Sequence, residues 1–448
     1  MKKRYLNLVP IAFFVLAAGF IVVKYKKSER EKTASFYPLH DCKGALAGSE
    51  EQKQAKDQFA KLMKITGTNP DDTKSRVSLA ALYLQEARVT GEYTYYDMAA
   101  MKYVNEVLAI EPGNFEALTF KAMLYLSQHH FAEGLKMAEK ARDANPYNAF
   151  VHGIITDGHV EMGNYKAAVE SADKMISIRP DIRSYSRVSY LREIHGDYPG
   201  AIEAMKMAVD AGPVGEESTE WARVQLGHLY ENTGDWKSAE MNYIISLENR
   251  PGYAYAIAGL ARIAKAKREY TKAIAYCLQA DSLVKDYSFK EQLADIYVLA
   301  GQKDKANEIN TWLISAMSEE AKAGEKDDNI GHYADRELTH IFLKTGDYDN
   351  ALKHAMAEYN RRPDNIDVNE TMAWVYYHKE EYDKALSFIE TALKTNSKNP
   401  TLLCRAGLIY AKAGDNAKAK EMLTAILQKD TSIDELLKAE AITILKNL

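Results

Sequence analysis

Only three cysteines stand in the 448 residues, Cys42, Cys277 and Cys404, and none belongs to a CxxC pair. A set that is both odd and sparse excludes a disulfide framework and a zinc knuckle. Cys277 falls on an apolar helix face and reads as a core thiol. Proline (11) and glycine (24) are scarce and recur at intervals, which favours helices joined by short turns. A basic excess is also missing. The 58 Lys and Arg face 63 Asp and Glu, for a net charge of -5 and a pI near 6.2, so nucleic acid is not an expected partner. There is no HExxH, no GxSxG, no P-loop and no GxGxxG after a strand, so neither catalysis nor a cofactor is expected. The histidines suggest no metal. His129 and His130 are adjacent in a turn and read as projecting apart, and His152 and His159 occupy core positions. In "HYADRELTH", His332 and His340 flank Asp335 and Glu337, which reads as an exposed charged helix.

Long apolar runs are absent but for one. "YLNLVPIAFFVLAAGFIVV", Tyr5 to Val23, carries no charge in 19 residues, just enough to cross a bilayer as one helix. A basic tail, residues 1–4, precedes it, and "KYKKSEREK" follows. Small residues in "LAAGF" offer a cleaved signal peptide as the rival, but dense positive charge after the run favours an uncleaved anchor. Three Lys/Arg lie before the run and five after it by Lys32, diluted by Glu29 and Glu31. The charge rule is nearly balanced and leaves a cytoplasm-facing body as the alternative. A basic start followed by one apolar run has the form of an export signal, so the reading is a single-pass membrane protein with an extracytoplasmic body. Residues 24–48 then form a polar stalk and 49–72 a leading helix.

What is abundant is repetition. Apolar residues reach 46%, so the chain is ordered and long enough for several domains or one long array. A small residue followed three places later by a large one recurs as Ala122/Tyr125, Ser189/Arg192, Gly227/Tyr230, Ala294/Tyr297, Thr339/Phe342, Ala373/Tyr376 and Gly407/Tyr410. Turns recur as "MGNY", "HGDY", "TGDW", "TGDY" and "AGDN". Three residues beyond the turn aromatic comes another small residue, from Gly134 and Ala168 to Ala385 and Ala419, at spacings of 34, 33, 38, 34, 33, 45, 34 and 34. A period near 34 marks a solenoid. The small residues let two helices approach, the aromatic fills the space beside them, and the turn glycine ends one helix while Asp or Asn caps the next. Prolines such as Pro180 and Pro251 forbid further helix and reset the chain. No pair buries its apolar face alone, so neighbours must stack. "GPVGEEST" (212–219) and "EEAKAGEKDDN" (319–329) break the period, the second by lengthening a helix and adding a loop.

Leu226, Gly227, Tyr230, Gly234, Trp236, Ala239, Tyr243 and Pro251 fall where the tetratricopeptide repeat family prefers them, and the array resembles that family over roughly 80% of the chain. Departures are Gly134 in place of alanine, and His159 and Arg192 in place of the aromatic. The resemblance implies an all-α, right-handed superhelical solenoid of nine to ten helix-turn-helix units over residues 73–432, closed by a capping helix at 433–448. It also implies a concave groove lined by the first helix of each pair. Carried onto this chain, the groove positions include Tyr190, Trp221, Tyr255, Tyr333, Trp374 and Tyr377, with Arg183, Arg187, His228, Arg262, Arg336 and His340 among them. Arg183 and Arg187 resemble part of the clamp by which some family members hold acidic chain ends, but Thr119, Met123 and Ile154 stand where its lysine and asparagines belong.

Flat rings between mixed charges suit a protein or extended peptide partner. The function expected is therefore a membrane-tethered scaffold or adaptor, without catalysis. A surface receptor for a glycan or another small ligand on the same scaffold is the alternative, and self-assembly of the array is a third role. The bland reading of any one tyrosine is packing between units.

Overall fold

The computed structural model describes residues 37–324 and 331–448. The expected basic tail, the anchor at 5–23 and the start of the stalk lie outside these residues. Among the described residues no helix is long and apolar enough to cross a membrane.

The described residues hold 22 α-helices and no strand. The leading helix α1 spans Glu50–Thr68. Ten antiparallel pairs follow: α2 (Thr73–Thr90) with α3 (Tyr93–Ile110), α4 (Phe115–Ser127) with α5 (Phe131–Ala144), α6 (Ala149–Glu161) with α7 (Tyr165–Ile178), α8 (Ile182–Ile194) with α9 (Tyr198–Asp210), and α10 (Glu217–Thr233) with α11 (Trp236–Asn249). The second half continues with α12 (Ala254–Ala266) and α13 (Tyr270–Leu283), α14 (Tyr287–Leu299) and α15 (Lys303–Gly324), α16 (Asp335–Thr345) and α17 (Tyr348–Arg361), α18 (Ile366–His378) and α19 (Tyr382–Ala392), and α20 (Pro400–Lys412) and α21 (Asn416–Leu427). Helix α22 (Glu435–Asn447) closes the array. The period breaks where helices lengthen: α10 has 17 residues and α15 has 22, against 13 or 14 in most others.

The repeat marks act as local physics requires. The turn aspartates Asp197, Asp235, Asp347 and Asp415 each accept a backbone N–H three residues on, capping α9, α11, α17 and α21. Tyr243 on α11 is fully buried because glycines flank it on both neighbouring first helices. A Cβ at Gly227 (α10) would lie 2.4 Å from its ring, and one at Gly259 (α12) 2.6 Å. Its hydroxyl donates to Glu231 at 2.5 Å, and Arg262 meets the same carboxylate at 3.0 Å and 3.1 Å. One ring thus locks three helices of two consecutive units.

Residues 41–448 form one compact unit, and within it the superhelix closes on itself. Contacts recur between residues about 200 apart, six periods of the repeat. Arg250 grips Glu51 with two bonds of 3.0 Å and 3.1 Å. The Lys285 N–H donates to Thr90 O at 3.1 Å, and the Tyr333 N–H to Gln128 O at 3.1 Å. Asn365 donates to Glu161 O at 3.0 Å, and the Ile366 N–H to the Tyr165 hydroxyl at 2.8 Å. Trp236 Nε1 donates to Asp430 O at 2.8 Å, and Ser432 to Asn232 at 2.6 Å. In most of these, the turn inside one unit meets the loop between units one superhelical turn later.

Candidate functional site

The first helices of the early units face an interior cavity of about 1250 Å³. Its wall is drawn from α2 through α12 and carries five aromatic side chains, Tyr93, Phe150, Tyr190, Trp221 and Tyr255. Tyr190 and Trp221 keep 41% and 36% of their surface accessible, high for aromatic rings in the interior of a fold. Burial nevertheless holds the Tyr190 phenol well above its usual pKa, with Asp367 and Glu161 reinforcing the shift, because protein surrounds the ring beyond the cavity. Arg88 on α2 and Glu217 on α10, four units apart, pair at 2.6 Å, so the two ends of the wall meet across the space.

The charges in the wall are mixed. Arg187 is held by Asp157 in a bidentate pair, Nε–Oδ1 2.9 Å and Nη2–Oδ2 2.5 Å, with Gly153 O at 3.1 Å. Arg183 lies over the Phe150 ring, 4.6 Å from its centre. Arg187 is therefore already spent on a carboxylate. Burial raises the Asp97 carboxyl to about 7, partly offset by its bond from Ser127, and leaves Asp97 Oδ1 without a partner. Burial raises Glu193 likewise to about 7, although Asn232 donates to it. Burial, with Arg262 nearby, keeps His228 well below its usual pKa, so the ring is neutral, and its Nε2 has no partner.

Of the twelve residues expected in the groove, six share this cavity: Tyr190, Arg183, Arg187, Trp221, His228 and Tyr255. The structure places the others differently. Arg262 is spent on Glu231 and on the Tyr243 hydroxyl at 3.1 Å, bracing α10 to α12. Tyr333 was expected on a concave helix face but precedes α16. Its ring stacks on His130, centroids 4.1 Å apart, with Arg361 over it at 4.3 Å, so it belongs to the contact between superhelical turns. Trp374 and Tyr377 stack on each other at 4.7 Å and are 8% and 6% exposed. Arg405 lies over Trp374 at 4.9 Å, and the Tyr377 hydroxyl donates to Glu440 of α22 at 2.6 Å. The closing helix thus occupies Tyr377. Arg336 faces Asp367 at 3.9 Å, and burial with Arg336, Arg405 and Lys344 nearby keeps His340 neutral.

Sequence reasoning missed Asp97, Arg88, Tyr93 and Glu217. All four gain their roles from closure of the superhelix around the cavity, which no local pattern announces. It also did not bring His129 and His332 together, and their ring centroids lie 4.2 Å apart. The expected neighbour of His332 along the chain, His340, is not part of that contact.

Fold and cavity together define an all-helical superhelical repeat protein with a cavity inside its first superhelical turn. Residues 224–288 match the family model described as Tetratricopeptide repeat, and that stretch contains the Gly227–Tyr243–Gly259 clamp. Anaphase-promoting complex subunit 3 of Schizosaccharomyces pombe is 24% identical over 247 residues, 54% of this chain and 35% of that protein. Photosystem I assembly protein Ycf3 of Prochlorococcus marinus is 38% identical over 76 residues, 16% of this chain and 44% of that protein. The chain spans less than half the length of these relatives. Among solved structures, PilW, a widely conserved type IV pilus biogenesis factor, aligns over 45% of this chain and 92% of its own, with 18% identity and a TM-score of 0.37. The family match supports the tetratricopeptide resemblance of the array.

Proposed function

We propose that the protein is a membrane-tethered scaffold that holds an extended segment of a partner protein in the cavity of its first superhelical turn. The observation that carries this reading is the set of three accessible rings in one wall, Tyr93, Tyr190 and Trp221, 39%, 41% and 36% exposed. Small-ligand sites occupy roughly 300–1000 Å³, and a cavity of about 1250 Å³ exceeds that range. Flat rings supply contact area at small entropic cost, and the unpartnered polar atoms of Asp97 and His228 offer hydrogen-bonding points. The named roles of similar proteins, a subunit of a large complex and an assembly protein, agree with a binding role. The tether is the run from Tyr5 to Val23, with the body on the extracytoplasmic side.

The test is photo-crosslinking in intact cells from a benzoylphenylalanine placed at position 190 or 221, with position 278 on α13, where Leu278 is 49% exposed and outside the cavity lining, as the control. A discrete protein adduct from 190 and 221 but not from 278 is expected. Equal adducts from all three, or none from the interior, overturn the reading. Removal of residues 5–23 is expected to release the protein from the membrane fraction.

A further inference from the structure

A second cluster lies away from the cavity, at the contact between superhelical turns. His129 sits in the turn joining α4 to α5, with its backbone in the left-handed region (φ 63°) where most other units use glycine. His332 precedes α16, and Glu337 lies in the first turn of that helix. One ring nitrogen from each histidine and one carboxylate oxygen of Glu337 lie within 4.8 Å of one another. We propose that His129, His332 and Glu337 form a binding site for a zinc-class divalent cation that staples the first superhelical turn to the second.

Three observations carry the assignment. The donor set is two imidazoles and one carboxylate, which suits zinc and its borderline neighbours rather than magnesium or calcium. The His129 Nδ1 lies 3.0 Å from Tyr333 O and so carries the proton, leaving the Nε2 lone pair for a ligand. A ligating histidine anchored by a backbone carbonyl is the usual outer-shell arrangement. Glu337 Oε2 is buried with no hydrogen-bond partner, an acceptor that a cation would satisfy.

The geometry is open by a small margin. A tetrahedral ion at about 2.1 Å from each ligand spaces its donors about 3.4 Å apart, so closure asks for side-chain rotations on the order of 1 Å. Three protein ligands leave a fourth position for water. His129 and the other two ligands are more than 200 residues apart in the chain, so the unfolded state cannot assemble the site, and binding stabilises only the closed superhelix.

The test uses the full chain, stripped with a chelator and then titrated with ZnCl2 in a calorimeter, with MgCl2 as the comparison. One equivalent of zinc bound at micromolar or tighter affinity is expected, with no magnesium heat and a Tm rise of roughly 2 °C or more. Co2+ in the same site should give the visible absorption of a tetrahedral nitrogen–oxygen field. Glu337→Gln and His129→Asn, each shown by circular dichroism to be folded, should weaken zinc at least tenfold. Absence of stoichiometric zinc binding and of the cobalt spectrum in the unaltered chain overturns the proposal without recourse to any variant. So does binding that persists unchanged in both variants, which would place the metal elsewhere.

Discussion

Gly163, in the turn between α6 and α7, lies directly against Asp364, in the loop between α17 and α18. A Cβ at 163 would stand 2.3 Å from the Asp364 carbonyl. The same turn position five units further on is Gly346, where a Cβ would meet nothing within 4 Å. Both glycines have nearly equal backbones, φ +78° and +77°. The difference between them isolates the contact between turns from the conformational preference of glycine. Gly346→Ala should cost about 1–2 kcal/mol, the strain of a left-handed alanine. Gly163→Ala adds an overlap with backbone that cannot move aside, and should cost at least twice as much. Thermal unfolding of the two variants side by side measures the difference.

Arg362 carries much of the same contact. Its guanidinium meets Glu161 of the preceding superhelical turn and Glu358 of its own helix pair, with its side chain only 3% exposed. It also covers the Phe131 ring at 4.4 Å. Burial raises the pKa of Glu161, and Arg362 opposes that shift. Arg362→Ala leaves buried carboxylates with less compensation and should cost about 3 kcal/mol or more. The pair Lys379–Asp349 is as close, 2.6 Å, but Asp349 is 93% exposed. Lys379→Ala should therefore leave the unfolding midpoint close to that of the parent. Denaturant midpoints of the two variants decide between a structural seam and ordinary surface pairing.

The units were legible in the sequence because each mark acts over one turn of helix. Gly227 and Tyr243 are 16 residues apart, and their packing needs no knowledge of the rest of the chain. Closure of the superhelix was not legible, because it sums small rotations over six units. Glu51 and Arg250, or His129 and His332, carry nothing that marks them as neighbours. The groove was read in part for the same reason. Tyr190 sits in an uninterrupted stretch of the period, and Trp221, on the helix that the 38-residue spacing lengthens, keeps its register; both line the cavity. Tyr333 follows the 45-residue spacing, which shifts the register, so the position read as helical precedes α16. Tyr377 has the right register, but Glu440 of α22 has already taken its hydroxyl.

Asp97 makes a prediction about pH. Burial raises its carboxyl to about 7, above the ordinary 3.8, so the folded state binds a proton that the unfolded state has lost. Its contribution to stability is fully present below pH 3.8 and declines as pH rises, by up to about 1.4 kcal/mol per unit, until about pH 7. Asp97→Asn stays neutral throughout and keeps a group able to bond with Ser127. The stability of the variant relative to the parent should rise from pH 5 to 7 and level off above it. Urea unfolding at pH 5, 6, 7 and 8 measures this, and a difference independent of pH would show that the carboxyl ionises freely.

Two tyrosines separate function from stability. Tyr190 is 41% exposed to the cavity and no hydrogen bond of its hydroxyl braces the wall, so Tyr190→Ala should shift Tm by no more than a degree or two while abolishing the partner adduct formed from position 221. Tyr377 is 6% exposed, stacked on Trp374 and bonded to Glu440, so Tyr377→Ala removes a ring from a packed interior and should cost about 3–5 kcal/mol. It should leave the adduct from position 221 intact as long as the first superhelical turn stays folded. Loss of the adduct in Tyr377→Ala together with its retention in Tyr190→Ala would reverse these roles and move the binding surface to the second turn.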